Sequence, residues 1–444
     1  MSNFTWSLDE IAQDVGGTVI GDGATLITGV TTDSRSVTPD DLFVPVAGER
    51  FDGHDFIASA FASGASATIA EPDRTEATPR IEVANVGQTL VDLAAKRRRE
   101  LFIPVVAITG STGKTSTKDL IAAGIADSWA SPRSFNNEVG VPLTVLGTPS
   151  EASALIIEVG SRGTGHIRWL APCIKPNVSV VTNLGVVHLE TFGSENGLAD
   201  AKYELIELLS EDGVAVLPAD EPRLRRDESV STITFGADPD ADVTVDVVDM
   251  DAMGRPTLAI DVGGEHLVAS LSMSGRHQAS NVAAAVAAAV ALGLDVKAFV
   301  ASMTKATGSP WRMDVHPGRF TVVNDAYNAN PQSVASALRT VAGMKGRSVA
   351  VLGPMAELGS ACESEHSKMG ALAAELGFSE VIVVGVDHGY ALGAPELISN
   401  ASSVSDAVDI LADTLQPGDV VLVKASRSAG LERLALKLIK DATQ

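Results

Sequence analysis

At 444 residues the chain is too long for one ordinary domain, and 45% hydrophobic content is ample for several packed cores. Lys and Arg number 33 against 56 Asp and Glu, a formal charge of −23, which excludes a chain whose task is to hold a polyanion; no nucleic-acid partner is expected. Only two cysteines, Cys173 and Cys362, are present, so there is no disulfide framework and no metal-type spacing; both read as inert thiols of a reducing compartment.

The first residues, MSNFTWSLDEIAQ, lack the basic and apolar regions of a signal peptide, and no stretch of about 18 apolar residues follows anywhere. A soluble, cytoplasmic protein without membrane insertion is expected, and nothing in the sequence requires more than a monomer. Residues 1–100 alternate short strand signals (GTVIG, LITGVTTD, DLFVPV, ATIA, RIEV) with a helix near Ile57–Gly64, a small α/β unit. The basic run Lys96-Arg97-Arg98-Arg99 reads as a solvated helix face in the linker out of this unit, with a phosphate-contacting patch as the alternative.

The segment Pro104 to Lys118, PVVAITGSTGKTSTK, is a β-branched run, a glycine loop and a helix start. The first turn of a helix presents unpaired N–H groups and the positive end of a dipole, so this order of elements binds phosphate. Gly110, Ser111, Thr112, Gly113, Lys114, Thr115 and Ser116 are the candidate cradle. Lys114 reaches the β/γ-phosphates and the Thr115 hydroxyl suits Mg²⁺. Ile108 stands where the usual phosphate-loop pattern has its first glycine. The expected ligand is a nucleoside triphosphate.

From 101 to 316 the runs PVVAIT, ALIIEVG, NVSVVTN and GVAVLP alternate with helical stretches, which predicts a mostly parallel sheet covered on both faces. DVTVDVVDM, TLAIDV and EHLVASLSM then predict an antiparallel meander, closed by a helix over Gln278–Leu292. From 317 to 444, FTVVND, SVAVLG, EVIVVG and DVVLVKAS predict a second open α/β domain with ligands at the carboxyl ends of its strands.

Several polar residues sit where a core would not choose them. Glu158 ends an apolar strand and needs a cation or strong donors; Mg²⁺ and a salt bridge both satisfy that. His188 follows the strand ending at Asn183 and is a candidate ligand or a packing residue. Lys202 reads from spacing alone as a helix-surface lysine near Glu204 and Glu207. Tandem Asn136 and Asn137 suit a polar ligand or a plain turn. In NDAYNANPQSV, Asp325, Tyr327, Asn328 and Asn330 crowd a loop before Pro331 opens a helix. These parts imply phosphoryl transfer without naming the acceptor.

The ordered motifs ITGSTGKTSTK, FNNEVGVPLT, IIEVGS, TNLGVVHLETFGS, ADAKYEL, GRHQASNVAAA, WRMD, NDAYNANPQS and VLGPMAELG resemble the Mur ligases of bacterial cell-wall synthesis, over essentially the whole chain. The resemblance implies three domains: a uridine-nucleotide-binding α/β domain (1–100), a phosphate-loop ATPase domain (101–316) and a Rossmann-like α/β domain (317–444). It implies ATP and Mg²⁺ as cofactors, with UDP-muramoyl tripeptide and D-alanyl-D-alanine as substrates. It leaves lysine and diaminopimelate both open at the third position of the tripeptide. By the same resemblance Lys114, Lys202, His188 and Asn137 are catalytic, and Thr115, Glu158, His188 and a carbamylated Lys202 serve metal ions. His277, Asn281, Arg312, Asp325, Tyr327, Asn328 and Asn330 complete the nucleotide pocket. Ser34, Arg35, Asn136 and Asn137 bind substrate. Pro354 and Ala425 depart from the family's usual residues, in the loops that carry Glu357, Lys424, Ser426 and Arg427. The alternative within the family is the preceding ligase, which adds the third amino acid, but its Asn-Pro-Arg signature is missing here. A nucleotide-reading switch protein is the alternative outside it.

Overall fold

The computed structural model describes residues 4–48, 51–185, 192–386 and 389–443. The chain divides into two compact units: Met1–Thr109 with Ile125–Val180 and Ala201–Ala215, and Gly110–Gly124 with Val181–Asp200 and Val216–Gln444.

The first unit holds a five-stranded sheet in the spatial order Thr18–Ile20, Arg80–Glu82, Ala67–Ala70, Asp41–Phe43, Gly29–Thr31. Its first pair is antiparallel and the remaining pairs are parallel. Helix Leu8–Val15 starts at a capping box, Ser7 bonding the Glu10 amide while the Glu10 carboxylate returns to the Ser7 amide, and stops at Gly16, whose left-handed φ of 67° suits glycine. Helix Val86–Glu100 is capped by Asn85. Strands Trp129–Ala130, Leu155–Glu158 and Val105–Thr109 run parallel, as the apolar runs predict. One core joins these parts, with Leu8, Ile11, Leu90, Leu93, Leu155 and Ile157 fully buried in it.

The basic run corrects its expectation. It lies on helix Val86–Glu100, but Arg97 is 3% exposed and donates to the Thr148 carbonyl (2.8 Å) and to Ser150 Oγ (3.1 Å). Arg98 donates to the carbonyls of Ile174, Leu101 and Lys175 at 2.9–3.1 Å. Lys96 and Arg99 both reach Asp14. A guanidinium carries five donors in a fixed fork, which lets it satisfy several loop carbonyls at once. Arg97 and Arg98 are an internal fastening of this unit and no solvated face, while Arg99 stays exposed.

In the second unit, Val243–Met250, Pro256–Val262 and Glu265–Ser270 form the expected antiparallel meander, and Ser231–Gly236 pairs parallel with its first strand. Helices Gln278–Ala291 and Val296–Met303 pack against helix Lys114–Gly124. Alanines 283 to 285 and 287 to 289 are buried, so the first of these is a close-packed helix. The last sheet has the order Asp314–His316, Thr321–Asn324, Val420–Lys424, Ser348–Leu352, Glu380–Val384, Ile398–Ala401. Its first strand is antiparallel and the rest are parallel. Successive side chains on a strand point to opposite faces. Accordingly Ala350 and Leu352 join the core on one face, while Val349 and Val351 join the core on the other. That double burial explains why these strands are continuous apolar runs. The edge strands Asp314–His316 and Ile398–Ala401 carry no such run and are not evident from sequence. Among the described residues, no helix is long and apolar enough to cross a membrane.

Candidate active site

The glycine loop leaves strand Val105–Thr109 and enters helix Lys114–Gly124, as its sequence predicts. Gly110 and Gly113 have φ of 142° and 80°, which side chains rarely tolerate. A Cβ on Gly113 would lie 2.4 Å from Asn281 Oδ1, and one on Gly110 would lie 2.0 Å from Thr182 Oγ1. The backbone must therefore stay bare at both points, which is the condition for close approach to phosphate. Lys114 is half-buried and its ammonium donates to the Gly110 carbonyl at 2.7 Å. Thr115 and Ser116 are buried in the first turn behind it.

Asn183, two residues past strand Val178–Val181, clamps this loop. Its Oδ1 accepts from the Thr112 amide (3.0 Å), its Nδ2 donates to Thr112 Oγ1 (2.7 Å), and its carbonyl accepts from the Ser111 amide (3.1 Å). Ser111 Oγ also donates to the Gly185 carbonyl. The His188 expectation lies outside the described residues. On the other side, Thr117 Oγ1 meets Asn281 Oδ1 at 3.5 Å, and Asn281 donates to Gln278 Oε1 at 2.8 Å. Gln278, 1% exposed, lies within 3.3 Å of His277 Nε2 through its own amide nitrogen. Burial pushes the His277 imidazole below its ordinary pKa, against the pull of Asp325, so it is neutral near pH 7.

The loop after Thr321–Asn324 supplies the remaining nucleotide candidates. Asp325 accepts from the Lys424 ammonium (2.6 Å) and from the Met313 amide (3.0 Å), and Lys424 also donates to the Asn328 carbonyl. The Arg312 guanidinium stacks on Tyr327 with 4.0 Å to the ring centroid. Asn330 caps helix Pro331–Ala342. A cavity of about 250 Å³, lined by Arg255, Ser274, Ser309, Arg312 and Met313 among others, opens beside Arg312. The two departing loops meet each other: the Ser426 amide donates to the Pro354 carbonyl (2.9 Å) and the Ala356 amide to Ser426 Oγ (2.8 Å). Gly353 leaves room for Ala425 there, since a Cβ on it would lie 2.6 Å from the Ala425 methyl.

In the first unit, Glu158 is 1% exposed and accepts from Asn136 Nδ2 at 2.7 Å. Its own amide donates to Ser131 Oγ. Asn137 Oδ1 accepts from the Gly140 amide at the start of helix Gly140–Leu146. The Asn136 side chain thus meets the Glu158 carboxylate, while the Asn137 side chain organises the turn into the helix. Lys202, 4% exposed, donates to Ser161 Oγ at 2.7 Å, so it is no surface lysine. Ser34 is half-buried, and Arg35 is exposed and paired with Asp33 through two hydrogen bonds of 2.9 and 2.7 Å. Those bonds lower the Asp33 carboxyl to about 2.

Family models cover most of the chain: the Mur ligase family catalytic domain matches residues 26–107, the Mur ligase middle domain 108–289, and the Mur ligase glutamate ligase domain 311–427. The UDP-N-acetylmuramoyl-tripeptide–D-alanyl-D-alanine ligase of Mycobacterium tuberculosis is 36% identical over 98% of both chains. The chain belongs to the Mur ligase family. Among solved structures, this Mur ligase is similar to MurF from Acinetobacter baumannii (27% identity, TM-score 0.90, 99% of this chain and 100% of that one). It is also similar to the MurF ligase of Thermotoga maritima in complex with ADP (28% identity, TM-score 0.83, 93% and 97%). As a Mur ligase it is an ATP-dependent enzyme with an N-terminal, a central and a C-terminal α/β domain.

Residues that sequence reasoning missed in this Mur ligase are Asn183 as the loop clamp, Gln278 between His277 and Asn281, and Ser161 on Lys202. Gln278 had a signal, a large polar residue in an otherwise alanine-rich helix. Ser161 had none.

Proposed function

We propose that this Mur ligase joins D-alanyl-D-alanine to the terminal carboxylate of UDP-N-acetylmuramoyl tripeptide, with ATP converted to ADP and phosphate, in the synthesis of peptidoglycan precursors. The observation that carries the reading is the likeness, along nearly the full length of both chains, to ligases bearing that name, with a bare-backbone phosphate loop at the expected place. The protein acts in the cytoplasm as a monomer on small-molecule substrates.

The γ-phosphoryl group of ATP passes to the substrate carboxylate, giving an acyl phosphate and ADP. The amine of D-alanyl-D-alanine then attacks the acyl carbon, the C–O bond to phosphate breaks, the amine loses its proton and an amide remains. Lys114 neutralises charge on the transferring phosphoryl. The loop amides bind the nucleotide phosphates, and Asn183 holds them in place through Thr112. His277 and Asn281 bind on the adenine side, Arg312 and Asp325 hold phosphates and ribose, and Tyr327, Asn328 and Asn330 complete the pocket from the last domain. Ser34 and Arg35 receive the uridine diphosphate, and Asn136 and Asn137 the muramoyl peptide.

Mg²⁺ fits the donors present. The described residues hold no cluster of three or more His, Cys, Asp or Glu side chains, and Mg²⁺ typically takes one or two protein oxygens together with phosphates and water. Thr115 in one unit, the buried Glu158 and Lys202 as a carbamate in the other, and His188 are the candidate metal donors, and Mg²⁺ when bound would polarise phosphoryl oxygens.

The test is phosphate release from ATP in the presence of UDP-muramoyl tripeptide, with and without D-alanyl-D-alanine. Release that needs both, with a pentapeptide product, supports the reading. Turnover only with a UDP-dipeptide and a free diamino acid overturns it in favour of the preceding ligase.

A further inference from the structure

Glu204 is 1% exposed and lies two positions from Lys202 on helix Glu195–Glu207. Its carboxylate accepts from the backbone amides of Gly165 and Arg168, the latter at 3.1 Å, and the Arg168 guanidinium approaches to 3.8 Å. These amides begin the short helix His166–Trp169, which has no capping side chain of its own. Side chains two positions apart on a helix diverge by roughly 200°. The turn from Gly160 to Arg168 meets both residues: Ser161 sits on Lys202 and Gly165 on Glu204. At its start the turn is tied by the Gly160 amide to the Asn136 carbonyl at 2.7 Å, just after Glu158. It is fixed at both ends, and Ser161 lies between the ties.

Burying a carboxylate is costly unless strong donors meet it. Two backbone amides at one carboxylate is therefore a built arrangement. We propose that Glu204 is a positioning residue for Lys202: it fixes the Gly160–Arg168 turn so that the Ser161 hydroxyl holds the Lys202 side-chain nitrogen. This rests on the reading of Lys202 as an active-site residue.

The test measures kcat and KM for each substrate in wild type, Lys202→Ala, Glu204→Ala, Glu204→Gln, Ser161→Ala and the Ser161→Ala/Glu204→Ala double variant. Amide hydrogen exchange over residues 160–170 is followed alongside. Glu204→Ala is expected to lower kcat about tenfold or more, since small misplacement of a reacting group is expensive, with KM changed less than about threefold. Exchange in the turn rises. Glu204→Gln, which keeps an acceptor, recovers part of kcat. The double variant is no slower than the worse single one, because both act through one contact.

Unchanged kcat in Glu204→Ala, unchanged exchange in the turn, or additive effects in the double variant would each overturn the proposal. Should Glu204→Ala fail to fold, Ser161→Ala decides: a kcat equal to wild type refutes the proposal. A Lys202→Ala enzyme as active as wild type would instead refute the active-site reading of Lys202.

Discussion

Asn183 presents both ends of its amide to one residue, Thr112, accepting from its backbone N–H at 3.0 Å and donating to its hydroxyl at 2.7 Å. The glycine loop is thus held by a residue 71 positions away. Each hydrogen bond contributes about 1 kcal/mol net. Asn183→Ala is expected to raise the Kd for an ATP analogue by about tenfold, the equivalent of about 1.4 kcal/mol. Asn183→Asp keeps the acceptor and loses the donor, so it falls between. Calorimetric titration checks this, and an affinity equal to wild type would sink the clamp.

The fastening by Arg97 can be tested through stability. Removing the guanidinium leaves the buried Thr148 carbonyl without this donor, whereas Ser150 is exposed. An orphaned buried polar group costs about 1–3 kcal/mol. Arg97→Ala is expected to destabilise the chain by about 1–3 kcal/mol in urea unfolding. The exposed Arg99→Ala is expected to cost less than about 1 kcal/mol, as surface ion pairs do. Equal effects of the two would return the run to the solvated reading.

The contrast between these sites shows what a sequence carries. The glycine loop is legible because its chemistry is local: strand, glycines, lysine and helix start follow one another within fifteen residues, from Pro104 to Lys118. The inner strands of the last sheet are legible because both their faces are buried. Helix Leu8–Val15 was within reach, since Ser7 and Glu10 have the capping-box spacing. Thr148, Thr112 and Ser161, the partners that place Arg97, Asn183 and Lys202, lie 41 to 71 positions away, and no local pattern specifies them. Burial, too, is decided by distant chain, so a run of four basic residues gives no sign that its second member is enclosed.

The Lys424–Asp325 pair joins a strand end to the loop after strand Thr321–Asn324, and both groups are 9% exposed or less. A buried pair adds little net stability, but breaking it leaves one charge uncompensated, at about 3–5 kcal/mol. Lys424→Met is expected to destabilise by that amount. Adding Asp325→Asn should restore most of it, because the amide oxygen still accepts from the Met313 amide. Urea unfolding of both variants is the measurement. A single variant costing under about 1 kcal/mol contradicts the argument.

His366 gives the pH prediction. Its ring is 1% exposed, lies edge-on to Tyr390 with centroids 4.8 Å apart, and is bonded at both nitrogens. Nδ1 is 2.6 Å from the Cys362 carbonyl and so carries the proton, while Nε2 accepts from the Met355 amide at 3.0 Å. A second proton would have to enter at Nε2, against an N–H that already points there. Burial, the largest influence, pushes this imidazole below its ordinary pKa; the Cys362 carbonyl and Glu365 pull the other way and do not prevail. In the unfolded chain the same ring takes up its proton near pH 6.5. Just below that pH the unfolded state holds more protons than the folded one, so stability rises with pH there. The contribution is complete above about pH 6.5 and is lost as pH falls from there through the lowered folded value. His166 and His277 are also lowered by burial and add slopes of the same sign, so wild type alone cannot isolate His366. The difference between wild type and His366→Gln can. Unfolding free energies from pH 8 to 5 are expected to show a wild-type advantage that is constant above about pH 7 and shrinks below about 6.5. A difference that stays flat across the range would mean that His366 protonates as readily in the folded chain as in the unfolded one.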